Sequence, residues 1–194
     1  MPILGIMASA MSANLWQPQG AYDALSTVTV PATAVSSITF AGIPSTYKHL
    51  QLRIFLRGDY VGGNFNNNIL LRFNSDSGSN YTRHLLYAQD NSGALAFGAA
   101  STTSAFAGAS PNASTGISNV FSGGVTDILD YSNTNKNKTI RTLQGYDTNG
   151  GGKQRLSFES SAWLNTSAIN SITITSDNAD NWVQHSQISL YGVK

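Results

Sequence analysis

The eight residues Leu50-Gln-Leu-Arg-Ile-Phe-Leu-Arg57 alternate apolar with mostly polar side chains, Phe55 being the one exception. A period of two is the signature of a strand with one face buried. No window outside the N-terminal arm sustains the i, i+3, i+4, i+7 apolar spacing that an amphipathic helix requires, so helix content is expected to be low. Further strands are predicted at Ser26–Val30, Val35–Phe40, Ile69–Phe73, Tyr81–Tyr87, Val125–Tyr131, Thr139–Tyr146, Arg155–Trp163, Ile172–Thr175 and Gln184–Tyr191, each bounded by Gly, Asn, Asp, Ser or Pro. Short strands in a chain of 194 residues must bury their apolar faces between two sheets or inside a barrel. The expectation is therefore one all-β domain, a single antiparallel β-sandwich of jelly-roll-like type with an extended N-terminal arm.

Charge narrows the partners. Charged residues make up 11% of the chain and the formal net charge is +1, against a typical charged fraction of ~25%. Solubility rests on about 60 Ser, Thr and Asn side chains. The 11 basic residues are scattered, which argues against nucleic acid or an anionic membrane as a partner held by long-range attraction. The absence of Cys removes disulfides, thiolate nucleophiles and thiolate metal sites.

Two stretches stand apart from the strands. The first 47 residues carry one charged side chain, Asp23, and the start lacks the basic region of a secretory signal. Residues 1–24 read as an apolar anchoring arm, with 25–194 as the sandwich. Ile3, Leu4, Ile6, Met7, Met11, Leu15 and Trp16 are its partner-binding candidates, because each such side chain is worth roughly 1.5–3 kcal/mol when buried and Met adapts to irregular surfaces. The apolar run at Met1–Met11 is shorter than the ~20 residues of a spanning helix. The second stretch, Ala94–Gly124, is rich in Gly, Ala, Ser and Thr and reads as a long connection, with Phe97 and Phe106 as candidate exposed contacts or as rings tucked back onto the sheets. Thr148–Lys153 reads as the tip of a hairpin joining Thr139–Tyr146 to Arg155–Trp163.

Catalytic constellations are weak. The acids are nine Asp and the single Glu159, and Asp127 and Asp130, three apart on a strand, point to opposite faces. His49, His84 and His185 lie in no metal-ligand spacing, and no Gly-x-Ser-x-Gly elbow occurs. Asn74–Asn80 and Asp177–Asn181 are oxygen-rich but lack the EF-hand pattern and read as turns. Arg57-Gly58-Asp59 reads as a strand end with a turn cap. Trp163 and Trp182, with Tyr60, Tyr131 and Tyr146, are either core or a sugar-stacking platform. No enzyme activity, metal or cofactor is expected.

The segments Phe40-Ala-Gly-Ile-Pro-Ser-Thr-Tyr-Lys-His-Leu-Gln-Leu-Arg53, Leu71-Arg-Phe-Asn-Ser-Asp-Ser-Gly-Ser-Asn-Tyr81, Asp127-Ile-Leu-Asp-Tyr-Ser-Asn-Thr-Asn-Lys136 and Ala162-Trp-Leu-Asn-Thr-Ser-Ala-Ile-Asn-Ser-Ile-Thr-Ile174 resemble a family of small virion structural proteins of tailed bacteriophages. Both termini resemble that family as well, and Ala94–Gly124 is where the likeness is weakest. The resemblance implies a structural protein at the particle surface, either a capsid decoration (cement) protein or a tail-associated one. The expected partners are the major capsid protein or other virion proteins and further copies of the chain, as a homotrimer. The alternative is a tail or neck appendage that binds a host-surface glycan. The resemblance implies no catalytic residue.

Overall fold

A computed structural model describes residues 20–62, 66–113, 117–149 and 154–194. The arm candidates Ile3, Leu4, Ile6, Met7, Met11, Leu15 and Trp16 lie outside the described residues. No α-helix occurs among the described residues, and the chain forms two antiparallel sheets packed as a β-sandwich.

Its strands are β1 (Tyr22–Thr29), β2 (Ser37–Ala41), β3 (His49–Leu56), β4 (Asn66–Phe73), β5 (Tyr81–Gln89), β6 (Leu95–Thr102), β7 (Ala105–Pro111), β8 (Ser122–Leu129), β9 (Lys138–Tyr146), β10 (Arg155–Trp163), β11 (Ser171–Ser176) and β12 (Gln187–Val193). The larger sheet runs β1-β12-β3-β8-β9-β10-β5-β6 and the smaller one β2-β11-β4-β7. The alternation that predicts β3 places Leu50, Leu52, Ile54 and Leu56 in the core. There they meet Ile38 and Phe40 of β2, Ile69, Leu71 and Phe73 of β4, Ile172 and Ile174 of β11, and Ile188 and Leu190 of β12. The predicted hairpin is present, with Tyr146 opposite Arg155 and Lys138 opposite Trp163.

Two boundaries differ from the sequence reading. Residues 94–124 are not one connection: they hold β6, β7 and the start of β8. Alanine, glycine and serine gave these strands no hydrophobic period, yet β7 is buried along its whole length because, as a strand of the smaller sheet, it packs directly on β9 and β10 of the larger one. The arm also ends before residue 24. Tyr22, Asp23 and Ala24 already pair with Val193, Gly192 and Tyr191, and the Asp23 carboxylate meets the Lys194 ammonium at 2.9 Å.

The larger sheet extends beyond the smaller one, and β7 is the smaller sheet's edge at that overhang. An edge strand leaves a row of backbone groups unpaired unless something meets them. Here side chains of β9 and β10 do so. The N–H of Phe106 donates to Ser161 Oγ (3.2 Å), that of Gly108 to Glu159 Oε2 (3.1 Å) and that of Ala109 to Gln144 Oε1 (2.6 Å). Beyond β7, the guanidinium of Arg83 lies over the Phe106 and Phe97 rings at 3.6 and 4.9 Å, and that of Arg155 over Tyr87 at 4.4 Å.

Candidate interaction surface

Satisfying β7 from below has a cost on the opposite face. In β10 the inward positions Ser157, Glu159 and Ser161 are polar and buried, while Leu156 and Phe158 face out. The strand alternates as an ordinary half-buried strand does, but with its polarity reversed. Its register is fixed on both sides, opposite β9 and opposite β5, so no one-residue slip can return the apolar side chains to the core.

The neighbouring strands turn the reversal into a surface. Directly opposite residues across the ladder run Val125 (β8), Leu143 (β9), Phe158 (β10) and Leu86 (β5). Opposite partners share a face with Cβ atoms about 5 Å apart, so these four side chains form a continuous row. The adjacent row is Phe55 (β3), Gly123 (β8), Gly145 (β9), Leu156 (β10) and Ala88 (β5). Phe55 stacks on Phe121 with centroids 4.8 Å apart. Exposure is 47% for Phe55, 54% for Leu86, 39% for Val125, 56% for Leu143, 60% for Leu156 and 54% for Phe158. At about half of ~200 Å² for each, the patch is on the order of 600 Å², the upper end of what a soluble monomer leaves exposed.

A polar row flanks the patch. Asp127 accepts from Gln51 Nε2 at 3.0 Å and lies 3.5 Å from the Arg141 guanidinium, and Ser160 and His84 continue the row across β10 and β5. This border pairs its opposite charges within itself.

The other candidates fall into structural places. Trp163, Trp182, Tyr131 and Tyr146 are buried, so those four rings present no platform to a sugar. Trp163 Nε1 donates to Asp76 Oδ2 at 2.7 Å, and the same carboxylate collects Asn80 Nδ2 and the Gly78 N–H, which makes Asn74–Asn80 a turn braced on a core indole. These donors, the indole first, hold the Asp76 carboxyl below its ordinary range. Arg57 is buried with its guanidinium on the Val120 carbonyl at 2.9 Å, and Asp59 accepts from the N–H and Nδ2 of Asn181 at 2.8 and 2.9 Å, so Arg57-Gly58-Asp59 is tied into the sandwich. Asp177 is similarly engaged by the N–H and side-chain amide of Asn68. Of the two loop candidates, Phe97 is 48% exposed on β6, whereas Phe106 is 8% exposed. Its place as an exposed contact is corrected: it lies in β7 beneath the Arg83 guanidinium. Among the described residues no group of three or more His, Cys, Asp or Glu converges as metal ligands would.

The apolar rows escape a reading based on alternation, because alternation assigns the apolar side of a strand to the core. One signal was present. The polar inward set Ser157, Glu159 and Ser161 contains the chain's only glutamate, an unlikely inward-facing set unless a backbone edge needs acceptors. No protein-family model matches this chain, and a comparison with curated proteins found no match.

Proposed function

We propose that the protein is a virion structural protein of a tailed bacteriophage, a capsid decoration or cement protein that binds the particle through its N-terminal arm and stabilises it. The observation that carries the assembly part of this reading is the exposed apolar face on β8, β9, β10 and β5. A chain with so little charge gains nothing from leaving roughly 600 Å² of Leu, Val and Phe in water, and a particle lattice is a setting in which such a face is covered. The phage setting rests on the sequence resemblance.

The strand order supports the finer fold reading. With the hairpins β5–β6 and β9–β10 set aside, the sheets run β1-β12-β3-β8 and β2-β11-β4-β7. That is the strand order of a jelly roll, an architecture common in capsid proteins, although a shared fold does not by itself give a function.

Copy number tests the proposal. Protein quantified in purified particles against the major capsid subunit is expected on the order of hundreds of copies for icosahedral placement. A count of a few to a few dozen would overturn the cement reading in favour of a neck or tail component, and absence from particles would remove the virion role.

A further inference from the structure

We infer that the outer face of the eight-stranded sheet is a contact between two copies of this chain, packed face to face about a twofold axis. The inference rests on the reading of this face as an interaction surface and names its occupant.

The relief of the face suits its own copy. Val125, Leu143, Phe158 and Leu86 form a ridge, and in the row beside it Gly123 leaves bare backbone between Phe55 and Gly145, the latter overhung by the Leu156 side chain. A Cβ added at Gly123 would meet nothing within 4 Å. Rows on one face of a sheet lie about 7 Å apart. A twofold axis can therefore seat a ridge side chain of each copy in the open space over Gly123 of the other, one contact made twice.

Charge permits the same pairing. A face of one sign would repel its copy, but the ridge is uncharged from Val125 to Leu86, and the charge at its β3 end, Arg53, lies over the Tyr191 ring at 4.5 Å. The flanking row holds Asp127 beside Arg141 at 3.5 Å, so that border of the patch is neutral. Area is sufficient too. A standard interface buries about 800 Å² per partner with an apolar centre and a polar rim. The patch of roughly 600 Å² supplies that centre, and the flanking row supplies the rim. Such a contact closes at two copies, unlike the ring of three expected from particle symmetry, which needs two different patches on each subunit.

Sedimentation velocity on the full chain, from about 1 to about 100 μM, tests the inference. A concentration-dependent dimer is expected. Gly123→Arg adds a charged side chain where the sheet has open space, and Phe158→Ser removes part of the ridge. Each should weaken the dimer by about tenfold or more, with the circular dichroism spectrum and Tm of the Gly123→Arg variant unchanged. A monomer across the whole range would overturn the inference. So would a dimer or trimer of equal strength in both variants, because the arm or another surface would then hold it. The outcome is separable from the virion reading: a chain absent from particles but dimeric through this face would end that reading and leave this one standing.

Discussion

Glu159 shows how one residue couples the core to solution conditions. Its carboxyl is 1% exposed and accepts the Gly108 N–H, and burial raises its pKa above the ordinary 4.5, against the smaller opposing effects of that hydrogen bond and of Arg155 and Arg83. A raised pKa means that the folded state holds its proton more tightly than the unfolded chain. Stability is then greatest below pH 4.5 and falls as pH rises from there through the folded pKa. Glu159→Gln keeps an oxygen for Gly108 and cannot ionise. Thermal melts across pH should give the variant a higher Tm than the wild type at neutral pH, with the gap closing below pH 4.5. A gap independent of pH would show that ionisation of Glu159 is not the source. Lys138 solves the same problem differently: it is fully buried, and its ammonium donates to the carbonyls of Asn133, Lys136 and Thr166 at 2.6, 2.7 and 3.0 Å. Residue type made some of these sites legible in advance. For Trp163 and Trp182 a core place was one of the two readings open, and both are buried, whereas a buried Glu or Lys is invisible until the backbone groups it serves are in place.

At the scale of elements, β7 decides how the rest is arranged. It pairs with β4 through a bulge between Asn68 and Leu70, and within that bulge Gly108 adopts φ +91°. A side chain at Gly108 would be strained by that φ, and its Cβ would fall 2.2 Å from Gln144 Oε1, the acceptor for the Ala109 N–H. Gly108→Ala should therefore cost about 2 kcal/mol or more, from strain plus a displaced acceptor. Urea denaturation measures it, and a loss below about 0.5 kcal/mol, the size of an ordinary surface change, would mean that the bulge relaxes freely. The strands that carry their own hydrophobic period were legible to within a few residues, β3 and β10 above all. β6 and β7 were not, because Leu95–Thr102 and Ala105–Pro111 owe their conformation to neighbours rather than to propensity. The candidate surface was hidden for a related reason: on β9 and β10 the inner face is given to polar partners of β7, Gln144, Glu159 and Ser161, while Leu143, Leu156 and Phe158 face out.

Across the whole molecule, the sandwich and the arm are separable in their energetics. The core that joins the sheets is complete from β1 onward. Val30, Phe40, Leu52, Leu71, Ile174 and Leu190 are buried among residues of the described sandwich, and β1 is fastened by its pairing with β12 and by Asp23 to Lys194. Removal of residues 1–20 spares all of these contacts, whereas a cut after residue 24 would remove Tyr22, Asp23 and Ala24 from β1. The shorter deletion should leave a folded domain whose Tm shifts by less than about 3 °C, since about 1 kcal/mol corresponds to 2–4 °C at this size. The same protein should fail to bind particles from which the native chain has been stripped. Calorimetry and a pelleting assay read the two halves of this prediction independently. A large drop in Tm would make the arm part of the fold. Full occupancy on particles would move the anchoring role to the sandwich, and the sheet face on β8, β9, β10 and β5 would then be the first place to look for it.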